Sequence, residues 1–263
     1  MVKVLEVRNL NYKKMVNINL TFESGKIYFI AGGNNSGKTT LFELMSGIIK
    51  TSNTICCDNV WCNEIKRKEF IRKIGVVRRV NKQSFIYKTV IDEMIYPLYN
   101  LNNSKKSIFD RINNVLSFFD MNYIKNKNIG DLSLYEKQML LIMISILHRP
   151  KVLLLDNAIN YFSQKERDNL FNKLKLLVED DLCIINFTST LIDALYCDNI
   201  VILKDFNVVC EVKRDEMFSN DKLFYENDLE IPFICDLNNK LKMYQMVDKN
   251  YLNMKDLVDS IWQ

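Results

Sequence analysis

The chain of 263 residues and 31.0 kDa is long enough for one domain with an appendage. Hydrophobic residues make up 48% of the sequence, which excludes a disordered chain, and the net charge of +4 is too small to indicate a nucleic-acid partner. A single histidine argues against a metal site built from several histidines. With only seven glycines, any glycine-rich loop must use a large share of them.

Short apolar runs alternate with helical stretches along the chain, which predicts an α/β fold around a mainly parallel sheet. Six of these runs are predicted strands, at residues 26–31, 74–77, 152–156, 182–186, 200–204 and 207–212. After the first strand, the spacing of Leu41, Leu44, Met45 and Ile48 predicts an amphipathic helix.

Two further helices are predicted from S-x-x-E segments at residues 133–136 and 163–166, each of which opens an apolar-periodic run. The stretch from about 89 to 148 has a helical pattern between two strands, so we expect a helical subdomain there, within a main domain spanning 1–220. Beyond it the pattern changes to short segments, and residues 221–263 are predicted to form a small C-terminal extension.

The cellular location is predicted from what the chain lacks. Residues 1–6 have no signal-peptide core, and the longest apolar run, 139–147, is about half of what a membrane span needs. Seven cysteines, an odd number, fit a reduced compartment, so we expect a cytoplasmic protein. Cys56, Cys57 and Cys62 cluster without a second cysteine pair or a nearby histidine, which favours a strand pair over a zinc site.

A phosphate-binding loop is predicted at residues 32–39, which match G-x-x-x-x-G-K-[ST] between a predicted strand and a predicted helix. Glycines allow backbone N–H groups to curl around phosphates, and the helix N-terminus adds partial positive charge. Lys38 is expected to reach the outer phosphates, and the Thr39 hydroxyl to hold Mg²⁺. The nucleotide-binding residues predicted in this loop are Gly32, Asn34, Asn35, Ser36, Gly37, Lys38, Thr39 and Thr40.

The second motif of the predicted site is the apolar strand at 152–156, which ends in Asp156. A carboxylate at that place would hold Mg²⁺ from the second side. Such a run taken alone is usually only a buried strand, but here it lies directly behind a capped helix. Asp156 and Thr39 are therefore the predicted metal ligands.

The order of these features resembles the ATPase domain of ABC transporters, a P-loop NTPase fold, from residue 5 to about residue 218. The segments at 74–77, 89–93, 230–233 and 254–262 are similar to energy-coupling-factor (ECF) transporter ATPases. The resemblance implies ATP and Mg²⁺ as cofactors and a second ABC ATPase subunit, the two subunits sandwiching two ATP molecules. It also implies an integral membrane subunit that takes up a vitamin or metal ion, with this chain bound peripherally at the cytoplasmic face.

The sequence departs from the family at its signature, L-S-G-G-Q, which here reads Leu132-Ser133-Leu134-Tyr135-Glu136. The missing glycines would let the helix start approach the partner's phosphate, whereas Leu134 and Tyr135 add bulk and Glu136 repels an anion. Two roles are open for Ser133, a nucleotide contact or a helix N-cap alone.

The resemblance also locates the catalytic positions, and several are degenerate. The family's glutamate is replaced by Asn157, which can orient a water but cannot accept its proton. The aspartate of the next loop is Ser163, and the switch histidine is Ser189. The metal- and water-coordinating glutamine aligns to Arg79, while Gln83 would need a register shift. No residue is assigned as catalytic, and Arg79 either pairs with a phosphate or is a solvated charge.

One aromatic residue and the single histidine complete the prediction. Tyr12 lies where the family carries an adenine-stacking aromatic, but it could equally be a packed strand residue. The only histidine, His148, lies near the end of the long helix before Pro150 and is expected to be structural.

These features favour an importer ATPase subunit that binds ATP and hydrolyses it weakly, as the degenerate half of a heterodimer. The alternative is a regulatory pseudo-ATPase that binds ATP without driving transport. A chromosome- or repair-associated ATPase is disfavoured because the chain has no long heptad run, and no nucleic-acid partner is expected.

Overall fold

The structure, a computed structural model, describes residues 2–99, 105–227, 229–251 and 254–261. The strands in chain order are β1 (Lys3–Tyr12), β2 (Met15–Glu23), β3 (Ile27–Ala31), β4 (Ile55–Cys57), β5 (Val60–Trp61), β6 (Ile74–Arg78), β7 (Val152–Asp156), β8 (Cys183–Thr188), β9 (Asn199–Lys204) and β10 (Asn207–Lys213). The α-helices are α1 (Lys38–Met45), α2 (Arg67–Arg72), α3 (Val90–Tyr99), α4 (Lys105–Phe118), α5 (Leu134–Ile146), α6 (Gln164–Glu179), α7 (Arg214–Phe218), α8 (Asp221–Glu226), α9 (Phe233–Met243) and α10 (Met254–Ile261). Single turns of 3-10 helix occur at Asn122–Ile124, Ile129–Asp131 and Ile192–Tyr196.

The central sheet has the strand order β10-β9-β3-β8-β7-β6. Neighbouring strands are parallel except for β10, which pairs antiparallel with β9. The predicted α/β fold with a mainly parallel sheet is therefore confirmed. Because the parallel strands point the same way, the segments that follow β3, β6, β7, β8 and β9 meet at one edge of the sheet.

The two faces of this sheet are covered differently. Strand β3 is buried along its whole length, and its residues alternate between two apolar clusters. Tyr28 and Ile30 face a second, antiparallel sheet of order β2-β1-β4-β5 together with α1. Phe29 and Ala31 face the cluster formed with α3 to α6. A fully apolar strand is what burial on both faces requires.

Helix α1 is shorter than its sequence pattern predicts. It ends at Met45, and Gly47 follows in the left-handed region with φ 72°, its N–H donating to the Leu44 carbonyl at 3.1 Å. A left-handed glycine just past the last helical residue stops a helix in this way. The prediction that Ile48 belongs to the helical face is wrong, because Ile48 lies beyond the helix and is 47% exposed.

The cysteine cluster lies in the strand pair that the sequence predicts. Cys56 and Cys57 are in β4, which pairs with β5, and Cys62 follows β5; all three are buried. Burial raises the pKa of the Cys57 thiol to about 12, so it is an unreactive core side chain. In the described part of the chain, no group of three or more His, Cys, Asp or Glu is placed to hold a metal ion.

Helices α3 to α5 occupy the stretch that the sequence predicts to be helical. Buried side chains of the last segments, among them Phe224, Ile234 and Leu257, belong to the same apolar cluster as these helices. The division into residues 1–220 and 221–263 remains a prediction, and the predicted end of the tail at Trp262 lies outside the described residues. No helix within the described ranges is both long and apolar enough to cross a membrane.

Candidate functional site

The predicted phosphate loop connects β3 to α1 at the carboxyl edge of the central sheet. Gly32 lies very close to the backbone of β9. A Cβ built on it would be 2.3 Å from the Leu203 carbonyl oxygen, so only glycine fits there. Gly37 precedes the first residue of α1, where backbone N–H groups are left without helical partners. The loop therefore offers backbone donors and positive potential at one point.

Lys38 holds its side chain inside this loop. Its Nζ donates to the carbonyl oxygens of Gly32 and Gly33, both at 2.7 Å, and to Ser36 Oγ at 3.3 Å. Burial lowers the pKa of Lys38, and the nearby Asp156 carboxylate opposes that shift. An ammonium group that donates only to neutral oxygens can exchange them for the negatively charged oxygens of a phosphate, which bind it more strongly.

Asp156 is the last residue of β7, and its side chain is buried. Burial raises the pKa of its carboxyl group, while the positive charge of Arg78 opposes the shift. The Asn157 amide donates from Nδ2 to Asp156 Oδ1 at 2.9 Å, and Asn157 itself is in the left-handed region with φ 50°. The exposed hydroxyl of Thr39 lies on the first turn of α1. Carboxylate and hydroxyl oxygens are the ligand types that suit Mg²⁺.

These groups line one cavity of about 720 Å³ at the carboxyl edge of the sheet. Its lining residues are Asn34, Asn35, Ser36, Gly37, Lys38, Thr39, Thr40, Arg78, Arg79, Asn81, Asp156, Asn157, Asn160, Ser189 and Phe206. Among its charged side chains, Lys38, Arg78 and Arg79 are positive and Asp156 is negative. The cavity is therefore electropositive, as a site for a polyphosphate requires.

A larger cavity of about 830 Å³ lies at the opposite edge, near the amino ends of β7 and β8 and between α4, α5 and α6. None of the predicted site residues, all of which are described, lines it. We therefore take the cavity at the phosphate loop as the functional site.

The two arginines at the end of β6 are held by different partners. Arg78 pairs with Glu43 of α1 at 2.8 Å. Arg79 donates from Nε to the Tyr161 hydroxyl at 2.6 Å, and its guanidinium lies 4.5 Å from the centroid of that ring. Arg79 thus lines the cavity at the place that the sequence comparison assigns to it, whereas the alternative, Gln83, is not among the lining residues.

Gln138, which the sequence analysis did not single out, connects α5 to this arginine segment. Its side chain is fully buried, accepts from the Val80 N–H at 2.9 Å, and donates to the Arg78 carbonyl at 3.0 Å. The one available sequence signal is a polar residue at the start of the apolar run of α5. These two hydrogen bonds therefore connect α5 to the end of β6.

Both predicted capping boxes are present. At α5 the Glu136 N–H donates to Ser133 Oγ at 3.1 Å, and the Ser133 N–H donates to Glu136 Oε2 at 2.7 Å. The same reciprocal pair forms between Ser163 and Glu166 at the start of α6. Ser133 is exposed and does not line the cavity, so the structure does not bring it together with the phosphate loop of its own chain.

The residues that replace the signature glycines point in different directions. Leu134 is 55% exposed, whereas the Tyr135 ring packs edge-on against Phe162 with 4.8 Å between centroids. Tyr135 thereby joins the start of α5 to the segment that follows Asp156. Leu134 is the bulky side chain that remains on the outer surface of this helix start.

Ser189 and His148 lie far apart in the fold. Ser189 follows β8, is exposed, and lines the cavity. His148 lies just after the last turn of α5, and its Nε2 is 3.2 Å from the Ile74 carbonyl oxygen. Burial lowers the pKa of His148, which matches a structural histidine that stays neutral.

The aromatic side chain that lines the cavity is Phe206, and Tyr12 is not among the lining residues. Tyr12 ends β1, is half-buried, and has the Lys13 ammonium 5.4 Å from its ring centroid. Phe206 lies in the turn between β9 and β10, with only Asp205 beside it. The assignment of Tyr12 to the base remains a prediction.

Comparison with known proteins identifies the family. Residues 15–160, more than half of the chain, match the family model described as ABC transporter. The chain belongs to the ABC transporter family. The matched region includes the phosphate loop, the start of α5 and Asp156, which are the features that carry the resemblance in the sequence.

Relatives extend this similarity over the whole chain. The energy-coupling factor transporter ATP-binding protein EcfA1 of Oenococcus oeni is 27% identical over 271 aligned residues, covering 99% of this chain and 98% of that protein. A protein of the same name from Streptococcus thermophilus has the same identity and coverage. The resemblance to ECF transporter ATPases is therefore confirmed, as a likeness to proteins so named.

A solved structure supports the fold. The protein cbiO1 from Clostridium perfringens, described as part of the ABC transporter complex cbiONQ, superposes with a TM-score of 0.77 and 24% identity. The superposition covers 90% of this chain and 99% of that one. The predicted ABC-type P-loop fold is confirmed by this match.

Proposed function

We propose that this chain is the ATP-binding subunit of an ECF-type importer, and that it forms one half of an ATPase heterodimer. In this proposal it lies peripherally at the cytoplasmic face of an integral membrane subunit that takes up a vitamin or a metal ion. The names of the relatives, matched over nearly their whole length, support this class of protein. The single observation that supports ATP binding is the electropositive cavity that joins the phosphate loop, the buried Lys38 and Asp156.

The residues present fit a magnesium nucleotide. Lys38 would exchange its contacts with the Gly32 and Gly33 carbonyls for phosphate oxygens, and the N–H groups at the start of α1 would bind the same anion. Thr39 and Asp156 would supply the oxygen ligands for Mg²⁺, which when bound neutralises charge on the phosphates. The arginines at the end of β6 add positive charge at the same end of the cavity.

Weak hydrolysis follows from the groups at the reaction end. Asn157 has no basic atom, and its Nδ2 donates to Asp156. A missing general base typically lowers a rate by roughly 10²–10⁴-fold. Ser189 lines the cavity with a hydroxyl, which is a poor proton acceptor at neutral pH. The site built on this chain's own loop is therefore expected to bind ATP far better than it hydrolyses it.

The heterodimer is proposed because the defects lie on two different surfaces. Asn157 and Ser189 weaken the site on this chain's loop, whereas the exposed Leu134 would weaken a site completed by this chain's α5. A homodimer would contain every defect twice. A partner with intact glutamate, histidine and signature glycines would restore one reaction centre at least in part.

Nucleotide binding can be tested by isothermal titration calorimetry of the full chain with Mg-ATP. Lys38→Ala should lower the affinity by more than tenfold, because it removes the buried cation from the loop. Lys50→Ala is the matched control, since its ammonium is exposed and pairs with Glu64 on the surface. Equal affinity of wild type and Lys38→Ala would contradict the proposed site.

Transport coupling is tested by ATPase activity of the complex with the second ATPase subunit. Activity that disappears with Lys38→Ala in this chain supports the importer role. Intact ATP binding with no turnover in any partner combination would instead favour the regulatory pseudo-ATPase. Asn157→Glu alone is expected not to restore full hydrolysis, because Ser189 and the altered signature remain; rapid turnover from that single change would show that these two matter little.

A further inference from the structure

The turn between β9 and β10 holds a bulky aromatic residue in a conformation that favours glycine. Asp205 and Phe206 both have positive φ, 48° and 65°. Two-residue hairpin turns of this kind prefer Asn-Gly or Asp-Gly, because the second residue is left-handed. A phenylalanine in that region is strained, and such strain persists at positions where the surrounding structure requires the residue.

Contacts with the phosphate loop hold Phe206 in place. Its N–H donates to the Ser36 carbonyl at 3.0 Å. Its ring lies against Gly37, since a Cβ built on that glycine would be 2.9 Å from Phe206 Cδ1. The Lys14 ammonium is 5.5 Å from the ring centroid. The ring is half-buried, so part of it rests on the loop and part lines the cavity.

The strand order gives the cavity two different ends. Asp156 and Arg78 are the last residues of β7 and β6, and Ser189 follows β8; these three strands lie on one side of β3. Phe206 follows β9, on the other side of β3. Strands β9 and β7 are three strand spacings apart, about 14 Å. A ligand whose phosphates and Mg²⁺ lie toward Asp156 would direct its other end toward Phe206.

We propose that Phe206 is the platform for the base of the bound nucleotide, which is a role that rests on the proposed ATP binding. An aromatic face suits a purine ring because both are flat, polarisable and apolar. Tyr12 is the competing residue, but unlike Phe206 it does not line the cavity. Phe206 is therefore the side chain that adds affinity for the base to the affinity of the loop for phosphates.

The test compares Mg-ATP with Mg-tripolyphosphate, which has the phosphates and lacks the base, by calorimetry on the full chain. Phe206→Asn removes the ring and keeps a residue that tolerates left-handed backbone. It should weaken ATP binding by roughly 5- to 150-fold and leave tripolyphosphate binding unchanged. Phe206→Tyr, which keeps the ring, should bind both ligands as the wild type does. Unchanged tripolyphosphate binding also shows that the variant is folded around its loop.

Three results would overturn the proposal. Phe206→Asn could weaken both ligands equally, which would mean that the ring only supports the loop. Second, Phe206→Asn could leave ATP binding unchanged, which would mean that the ring does not contact the base. Third, Tyr12→Ala could lose affinity for ATP alone while Phe206→Asn does not, which would assign the base to Tyr12. A wild type that binds neither ligand would refute the proposed function as well, so the two failures are distinguishable.

Discussion

Asn186 in the middle of the central sheet provides a direct test of the packing described above. It lies on β8, is 1% exposed, and neither its Oδ1 nor its Nδ2 has a hydrogen-bond partner among the residues that the structure describes. In register it neighbours Phe29 of β3 and Leu155 of β7, both on the face covered by helices. We predict that Asn186→Leu stabilises the protein.

The magnitude follows from the two amide atoms. A buried polar group without a partner destabilises by about 1–3 kcal/mol, so removing two such groups favours folding by about 2–6 kcal/mol. The leucine side chain is branched like that of asparagine but is larger. Overpacking can therefore offset about 1–3 kcal/mol of the stabilisation gained by removing the amide. The expected net stabilisation is about 2 kcal/mol, which corresponds to a rise in Tm of roughly 4–8 °C for a chain of this size.

The assay is urea unfolding, followed by circular dichroism, of wild type and two variants. Asn238→Leu is the matched control, because Asn238 is also buried, at 2% exposure, but is fully hydrogen-bonded. Its Nδ2 donates to the carbonyls of Ile234 and Tyr251 at 2.6 and 2.8 Å, and its Oδ1 accepts from the Tyr251 N–H at 2.9 Å. Asn238→Leu should destabilise by about 1–3 kcal/mol, since it leaves backbone groups of the half-buried Tyr251 without their partners.

The two substitutions are chemically identical and should change stability in opposite directions. A lower urea midpoint for Asn186→Leu, with an unchanged m value, would refute the reasoning. It would mean that the Asn186 amide is satisfied in solution, for example by an internal water.

Three further predictions concern helix ends and the single histidine. Ser163→Ala should lower the free energy of unfolding by about 1 kcal/mol through loss of the N-cap of α6; an unchanged urea midpoint would contradict the capping role. Gly47→Ala should destabilise by about 1–2 kcal/mol, because φ is 72° there, and its Cβ would also lie 3.3 Å from the Phe70 ring; a more stable variant would show that α1 ends differently. Because burial lowers the pKa of His148, the unfolded chain takes up more protons below about pH 6.5 and stability falls with falling pH. His148→Gln should flatten that decline between about pH 7.5 and 5.5, measured by urea unfolding at both values, and an identical pH dependence would refute the assignment.

Local chemistry made part of this protein predictable from sequence. The phosphate loop, the strand ending in Asp156 and the capping boxes at Ser133 and Ser163 each depend on residues within a few positions of one another. A capped helix or a phosphate-binding loop forms from short-range hydrogen bonds and backbone preferences. For that reason the alternation of strands and helices, and the family, followed from the order of these local features.

The helix boundary at Met45 shows where local patterns are insufficient. The apolar spacing continues to Ile48, but the chain turns at Gly47 and leaves Ile48 exposed. The helical spacing of apolar residues does not indicate where the backbone leaves the helix, whereas a glycine in the left-handed region does.

The sequence by itself determined that the chain has a phosphate loop, a strand ending in Asp156 and an altered signature, because each of these depends on residues that are neighbours in the chain. Only the tertiary structure decided which distant side chains share that site. Phe206 reaches the loop because β9 lies beside β3, and Gln138 reaches Arg78 because α5 packs at the end of β6. These contacts join residues far apart in the chain, and they arise from the strand order and the packing of helices on the sheet, which no local pattern encodes.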